Sequence, residues 1–312
     1  MPLPPSEPLL AVEGLRVSFA GAEAVRGVSF DVHPGEVLAL VGESGAGKSL
    51  TGRALLGLAP RGAAVSGRVL LRGAPVTSAD LGRRLAWIPQ DATASLSPVH
   101  RVDAQLAFAA RTSTGRRRGA ALAVARRALA EVGLAGAVAS AYPHALSGGM
   151  RQRAVIAMAL VNGPDLVVAD EPTTALDAER RDQVLALLRE RCAAAGAALL
   201  LVSHDLESVR RHADRVAVMY AGRIVELGAA EVVWGRPAAP YTRGLLASLP
   251  TAGLPHRSRL PSFEGVPRLS AVGCAFAPRC PRADALCRGE DPEPRAYGDR
   301  LVACHHPREA AA

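Results

Sequence analysis

Hydrophobic and polar residues alternate along two stretches near the start of the chain. Leu9 to Ala20 has apolar side chains at roughly every second position, and Ala24 to Val32 continues in the same way. This spacing predicts the two strands of a β-hairpin. The run Val37 to Val41 contains no polar residue and is typical of a parallel strand buried on both faces. Further strands are predicted at Val65 to Leu71 and at Leu85 to Ile88.

Later segments change to helical spacing. Helices are predicted at Val102 to Ala110, Gly119 to Val132 and Met150 to Val161. Two strand–helix units follow, with strands at Leu166 to Ala169 and Ala198 to Val202, and helices at Ala178 to Ala195 and Leu206 to Ala213. Strands that alternate with helices predict an α/β fold with a parallel sheet, whose functional residues lie at the carboxyl ends of the strands.

The sequence changes character after about Val233. Prolines become frequent, the periodicity fades, and four of the five cysteines fall between Cys274 and Cys304. We therefore predict a domain boundary near Gly235, with a first domain over residues 8–234 and a small C-terminal extension over residues 235–312.

Composition limits the classes of function. Aromatic residues make up 4% of the chain, which argues against an aromatic surface for bases or sugars. The net charge of +8 is compatible with a nucleic-acid partner or an anionic membrane surface, or it simply reflects an arginine-rich composition. The densest basic run, Arg116 to Arg118, has glycines on both sides and no aromatic neighbour, which favours a solvated loop.

The N-terminal segment carries no signal-peptide pattern, because Met1 to Leu10 contains four prolines and a glutamate in place of an apolar run. The longest apolar stretch, Ala193 to Val202, is too short to span a membrane. We expect a soluble, cytosolic protein that reaches a membrane only through a partner. In such a protein the five cysteines are expected to be free thiols or metal ligands.

A glycine-rich segment follows the predicted strand Val37 to Val41 and has the pattern G-x-x-x-x-G-K-[ST]. A strand before this pattern and a helix after it identify a phosphate-binding P-loop, in which backbone N–H groups turn toward a polyphosphate. Lys48, the one lysine among 37 basic residues, would reach the β- and γ-phosphates, and the Ser49 hydroxyl would ligate Mg²⁺. The predicted nucleotide-binding residues are Gly42, Glu43, Ser44, Gly45, Ala46, Gly47, Lys48, Ser49 and Leu50.

Two carboxylates end a second apolar strand. In the run Leu166 to Glu171, Asp170 is placed to hold Mg²⁺, directly or through water. Glu171 can orient and deprotonate the water that attacks the γ-phosphate. Together with the P-loop, this run is interpreted as a Walker B strand.

The segment Leu146 to Arg153, with sequence LSGGMRQR, resembles the LSGGQ signature of ABC ATPases. The family resemblance covers most of residues 8–234, and further motifs occur in the expected order. Gln90 resembles the Q-loop glutamine, Ala175-Leu176-Asp177 the D-loop, His204 the switch histidine, and Phe19 the A-loop aromatic that stacks on adenine.

The resemblance implies the ABC type of P-loop fold, with a parallel-sheet core, an antiparallel β subdomain and a helical subdomain that carries the signature. It also implies a head-to-tail pair of ATPase domains with two ATP molecules between them, in which Ser147, Gly148, Gly149 and Asp177 act on the partner's nucleotide. Glu171, His204 and Gln90 would then be catalytic, and Mg²⁺ would be held by Ser49, Gln90 and Asp170.

A finer resemblance is to the ATPases of dipeptide and oligopeptide importers. It lies in Gln90 to Pro98 and in Tyr241 to Leu246, with Ala92 and Ser97 departing from the usual proline and asparagine. It implies a peripheral subunit on the cytoplasmic side of the inner membrane. The implied partners are two permeases, a second ATPase (homologous or identical), and an extracytoplasmic substrate-binding protein. The cargo would be peptides or a related solute such as nickel.

Two alternatives remain at this stage. A soluble ABC ATPase that acts on nucleic acid or ribosomes usually carries a coiled-coil insertion between P-loop and signature, or two ABC domains, and neither is visible here. An exporter ATPase is usually fused to membrane spans. We therefore expect no nucleic-acid partner.

The cysteines of the extension, Cys274, Cys280, Cys287 and Cys304, suggest a metal centre. Their gaps are wider than those of zinc knuckles and suit a 4Fe–4S cluster, and resemblance to the importer tail points the same way. Zinc, with His305 or His306, stays open, as do small buried thiols. We expect a structural role, because nothing in the sequence places this segment near the nucleotide. Cys192 is expected to be inert core.

Overall fold

The alternating N-terminal stretches form an antiparallel sheet. The computed structural model describes residues 7–174, 177–249 and 272–308. Its first two strands, β1 (Leu10–Phe19) and β2 (Ala22–Val32), pair in antiparallel register, with Leu10 opposite Val32 and Val17 opposite Val25. With β4 (Ala63–Leu71) and β5 (Ala74–Pro75) they make a four-stranded sheet of order β2-β1-β4-β5.

A second sheet has eight strands. Its strands are β3 (Val37–Val41), β6 (Leu85–Ile88), β7 (Leu166–Asp170), β8 (Ala198–Ser203), β9 (Arg215–Tyr220), β10 (Arg223–Ala229), β11 (Arg295–Tyr297) and β12 (Arg300–Val302). The order is β11-β12-β10-β9-β3-β8-β7-β6. The five strands from β9 to β6 are parallel, and β10, β12 and β11 continue the sheet in antiparallel pairing. The sequence analysis did not predict β9 to β12.

Ten helices occur in the described residues. They are α1 (Lys48–Leu55), α2 (Ala92–Ser95), α3 (Val102–Thr114), α4 (Arg118–Glu131), α5 (Gly148–Leu160), α6 (Ala178–Ala195), α7 (Leu206–His212), α8 (Ala230–Gly235), α9 (Pro240–Ala247) and α10 (Ala285–Gly289). The predicted basic loop is partly wrong, because Arg118 begins α4. None of these helices is long and apolar enough to cross a membrane.

The eight-stranded sheet lies between two apolar layers. Successive residues of β3 enter opposite layers, because side chains alternate along a strand. Ala39 and Val41 join the layer that contains residues of α3 to α7, whereas Leu38 and Leu40 join the layer formed by the four-stranded sheet and α1. A strand covered on both faces has no place for a polar side chain, which explains why Val37 to Val41 is entirely apolar.

The C-terminal extension joins the core sheet. Strand β12 pairs with β10, with Glu226 opposite Val302. Glu226 is fully buried and accepts hydrogen bonds from the backbone N–H groups of Ala238 (2.9 Å) and Ala239 (3.0 Å) and from Arg300 Nη1 (3.2 Å). The buried carboxylate therefore links residues on both sides of the predicted boundary near Gly235, which stays a prediction.

The Glu226–Arg300 pair generates the first prediction. Arg300→Met leaves the buried carboxylate without its cation and should lower the free energy of unfolding by about 3–5 kcal/mol. Chemical denaturation followed by circular dichroism measures the change. Arg295→Met, at an exposed position on β11, is the control and should leave the midpoint unchanged. Equal midpoints for both variants would show that the pair does not stabilise the extension.

Candidate active site

Four neighbouring parallel strands bring the predicted residues to one edge of the sheet. The P-loop follows β3, His204 follows β8, Asp170 and Glu171 lie at the end of β7, and Gln90 comes two residues after β6. Since these strands are adjacent in the order β3-β8-β7-β6 and run in the same direction, their carboxyl ends meet. The order of the strands in the sheet therefore brings the residues of the site together.

Two glycines of the P-loop are required by its backbone. Gly42 has φ of 150°, and a Cβ there would lie 2.1 Å from the carbonyl oxygen of Met219. Gly47 has φ of 99°, precedes α1, and would place a Cβ 2.8 Å from the carbonyl oxygen of Ala24. Any side chain at either position would displace the loop, because both contacts are to backbone.

Lys48 lies at the start of α1 and is almost fully buried. Its Nζ donates to the carbonyl oxygens of Gly42 (2.9 Å) and Glu43 (3.0 Å). Burial lowers the pKa of Lys48, whereas the nearby Glu171, Asp170 and Glu43 carboxylates act in the opposite direction. A polyphosphate bound in the P-loop would compete with these two carbonyl oxygens for the buried ammonium.

Ser49 and Asp170 fit a magnesium site. The Ser49 hydroxyl donates to Asp170 Oδ1 at 2.7 Å, and Asp170 is buried. Burial raises the pKa of Asp170 despite the hydrogen bond from Ser49, so a cation at this point would relieve the cost of the buried charge. Adjacent ligands of octahedral Mg²⁺ lie roughly 2.9 Å apart, as its short metal–oxygen bonds require. The observed separation is close to that.

Glu171 is held from three directions. His204 Nδ1 lies 2.9 Å from its Oε1, while Gln90 Nε2 (3.0 Å) and the Thr174 hydroxyl (2.9 Å) donate to its Oε2. Its φ of 46° is unusual for a residue with a side chain, and such strain is concentrated at functional sites. Burial raises the pKa of Glu171, but the hydrogen bonds from His204 and Thr174 outweigh it, so the pKa lies below its usual value.

This arrangement presents an ionised, oriented carboxylate beside the predicted magnesium ligands. Such a group can align a water molecule and receive its proton as the water attacks a phosphoryl group. Thr174 was missed by the sequence analysis. A threonine three residues after the carboxylate is the available signal, because it can close a local turn; here its hydroxyl also contacts the Glu171 carbonyl oxygen at 3.2 Å.

The predicted signature lies at the exposed start of α5. Ser147 caps the helix by accepting from the Met150 N–H at 3.3 Å, and Gly148 and Gly149 form its first turn. Asp177 caps α6 in the same way, accepting from the Arg180 N–H at 3.0 Å. Ala175 and Leu176 of the predicted D-loop lie outside the described residues.

These helix starts stand apart from the network around Glu171. Among the described residues, no hydrogen bond or ion pair joins Ser147, Gly148, Gly149 or Asp177 to it. Phe19 is the last residue of β1. It is half-buried and packs against the apolar layer formed by the four-stranded sheet and α1. The roles predicted for these residues toward nucleotide remain predictions.

The four cysteines of the extension line one small cavity of about 40 Å³, together with His305 and His306. Burial, with a smaller contribution from the other three cysteines, raises the pKa of the Cys304 thiol to about 11. Among the described residues, one group of three potential metal ligands has all its ligand atoms within 4.8 Å of one another: Asp284, Cys287 and His306. Cys192 is buried in the core, as expected, and burial raises its pKa to about 12.

No sequence pattern places this segment near the nucleotide site, but the structure brings it to the P-loop. Arg279, next to Cys280, forms an ion pair with Glu43 of the P-loop at 2.9 Å. The Tyr241 hydroxyl, on α9, accepts from the Glu43 N–H at 3.0 Å. The contact could not be predicted from a local pattern, because Glu43 and Arg279 are 236 positions apart in the sequence.

Two segments of the chain match models of known protein families. Residues 25–174 match the family model described as ABC transporter, and residues 225–287 match the oligopeptide/dipeptide transporter C-terminal region. The probable peptide ABC transporter ATP-binding protein y4tR of Sinorhizobium fredii is 43% identical, with 93% of this chain and 92% of the relative covered. The chain belongs to the ABC transporter ATP-binding proteins. It is accordingly an ABC-type ATPase.

Other relatives also carry names of transport ATP-binding proteins. The Bacillus subtilis dipeptide transport ATP-binding protein DppD is 40% identical over 90% of this chain and 89% of its own length. The oligopeptide transport ATP-binding protein OppD of Mycobacterium tuberculosis is 41% identical over 92% of this chain, which corresponds to 50% of that protein.

Solved structures confirm the predicted ABC type of P-loop fold. The cbiO1 protein of Clostridium perfringens, part of the ABC transporter complex cbiONQ, has a TM-score of 0.64 and 26% identity, covering 73% of this chain and 91% of its own. An ATP-binding cassette dimer with bound ADP and Pi has a TM-score of 0.62 at 22% identity, covering 71% and 98%, and supports the fold alone.

The network around Glu171 generates the second prediction. Glu171→Gln keeps the shape of the side chain but removes the base, so steady-state ATP hydrolysis should fall by about 10²–10⁴-fold. Equilibrium binding of ATP should stay near that of the unmodified protein. Lys48→Ala is the contrasting variant and should weaken binding itself. Hydrolysis by Glu171→Gln at an undiminished rate would remove Glu171 from the role of base.

Proposed function

We propose that this ATPase powers the import of peptides through a pair of membrane permeases. The observation that carries the proposal is the combination of a connected P-loop and Glu171 network with a C-terminal segment of the oligopeptide/dipeptide transporter type. The names of the relatives that cover nearly the whole chain support it. The nucleic-acid alternative is not favoured by these relatives.

In the proposed mechanism, the P-loop amides and Lys48 bind the phosphates of ATP. Ser49, Asp170 and Gln90 would hold Mg²⁺, which supplies charge neutralisation at the phosphates. Glu171 orients the attacking water and takes its proton, and His204 keeps the carboxylate aligned through its 2.9 Å contact. Phe19 would stack on the adenine.

A second ATPase subunit would complete each site. The exposed N-terminus of α5, with Ser147, Gly148 and Gly149, presents the backbone N–H groups of the first turn and a positive helix end suited to a γ-phosphate. In a head-to-tail pair, these groups and Asp177 would face the partner's ATP. Hydrolysis would then require closure of the pair. The partner is either a homologous ATPase or a second copy of this chain.

The proposed permease contact lies beyond Gln90. The segment that leads from α2 into α3 exposes Val99 and Phe108, with 72% and 62% of their surfaces accessible. Exposed apolar side chains that follow Gln90 in the sequence suit a cytoplasmic loop of a permease. Movement there would reach Glu171 through Gln90. We therefore propose a peripheral subunit at the cytoplasmic face of the inner membrane, with a substrate-binding protein on the other side.

A metal centre in the extension is a separate proposal. Convergence of Cys274, Cys280, Cys287 and Cys304 on one cavity supports a 4Fe–4S cluster held by four thiolates. The closer grouping of Asp284, Cys287 and His306 supports zinc as the alternative. Either metal would favour the thiolate form and so offset the burial that raises the pKa of Cys274, Cys287 and Cys304.

The third prediction tests transport. Reconstituted with its permeases, a second ATPase and a binding protein, the chain should hydrolyse ATP faster when peptide is supplied and should accumulate labelled peptide inside vesicles. The Glu171→Gln complex should do neither. ATP hydrolysis that is unchanged by permeases and peptide would contradict coupling, and peptide-independent uptake of nickel would assign a different cargo.

The fourth prediction tests the metal centre. Protein purified without oxygen should be brown and contain iron and sulfide in equal amounts, and Cys280→Ser should lose both. Cys192→Ser, which alters a cysteine outside the cavity, is the control and should keep the metal. One zinc per chain in colourless protein would replace the cluster with a zinc site, and metal-free protein would reject both.

A further inference from the structure

The C-terminal extension reaches the P-loop at Glu43. This residue follows Gly42, and three of its groups are fixed at once. Its carboxylate receives two hydrogen bonds from Arg279, at 2.9 and 3.2 Å. Its N–H donates to the Tyr241 hydroxyl, and its carbonyl oxygen accepts from Lys48. Both Arg279 and Tyr241 lie after the predicted boundary near Gly235.

The arginine is itself held firmly. Only 7% of its side chain is exposed, its Nη1 donates to the Tyr220 hydroxyl at 3.3 Å, and its guanidinium carbon lies 5.8 Å from the centre of that ring. Phe276, three residues earlier, packs against Tyr220 and Tyr241 with ring centres 5.3 and 5.5 Å away. A bidentate pair on such a support has little freedom to move.

The charge of Glu43 is a problem for a phosphate site. Its carboxylate is close enough to favour the charged form of Lys48, the group that would bind the β- and γ-phosphates. An uncompensated carboxylate here would compete for the ammonium and repel the anion. Arg279 removes that difficulty by pairing with it.

We propose that Arg279 is a positioning residue for nucleotide binding, which neutralises Glu43 and, with Tyr241, fixes the entrance of the P-loop. Arg279 acts through Glu43 and does not touch the phosphates. The inference rests on the proposed role of the P-loop in ATP binding. It gives the extension a direct part in nucleotide affinity, apart from any metal it holds.

The test is equilibrium binding of a non-hydrolysable ATP analogue with Mg²⁺ to the full chain. Arg279→Ala should raise the dissociation constant about tenfold, which corresponds to about 1.4 kcal/mol. Arg279→Lys should recover part of the affinity, because it keeps the charge but loses the bidentate geometry. Arg282→Ala, an exposed arginine three residues away, is the matched control and should bind normally.

The decisive variant is the double substitution Arg279→Ala with Glu43→Gln. Removing the stranded carboxylate should restore most of the affinity, and higher salt should reduce the defect of Arg279→Ala alone, because charge repulsion is screened. A purely structural loss would give neither effect. In steady-state hydrolysis, Arg279→Ala should raise KM for ATP with little change in kcat.

The outcomes separate this inference from the proposed function. Lys48→Ala is included in the same assay. If it weakens binding but Arg279→Ala does not, the positioning role is overturned and the ATP site stands. If the double variant binds as poorly as Arg279→Ala, the charge argument is overturned. If neither the unmodified chain nor any variant binds the analogue, the proposed ATP site itself is rejected.

Discussion

The parallel pairing of β3, β8, β7 and β6 is the constraint on which the rest of the structure depends. In the register of β3 with β8 and of β8 with β7, Val41 lies opposite Ser203 and Asp170 opposite Val202. The chain after each strand therefore begins at the same level, and the backbone N–H of Glu171 bonds to the Val202 carbonyl oxygen at 2.8 Å. A slip of one residue in a single pair would separate the lysine, the magnesium ligands and the base.

Each carboxylate around Lys48 has its own local partner. Lys48 lies near three carboxylates, those of Glu171, Asp170 and Glu43, and each carboxylate also has its own donor. Ser49 donates a hydrogen bond to Asp170, His204 and Gln90 contact Glu171, and Arg279 forms an ion pair with Glu43. Each of these acidic groups is thus stabilised by a local partner, because desolvated carboxylates are tolerated only when they are hydrogen-bonded or paired.

Much of this site was predictable from sequence because its parts are local. The P-loop, the Walker B carboxylates and the cap at Ser147 each depend on a few consecutive residues, and their order along the chain predicted the fold family. The strands β11 and β12 were missed because each has three residues and follows a stretch of weak periodicity; β9 and β10, with six and seven residues, were also not predicted. Arg279 was missed because no local pattern distinguishes it from the other arginines, and its partner is set by tertiary packing.

The hairpin β11–β12 has a consequence for how this chain can be divided. A domain cut near Gly235 would strip β12 from β10 and leave a strand edge with unpaired backbone groups, which is a template for association with other chains. The ATPase portion expressed alone should therefore tend to aggregate. Exchange of extensions between related subunits would also have to preserve the fit along β10, so the two segments are constrained to evolve together.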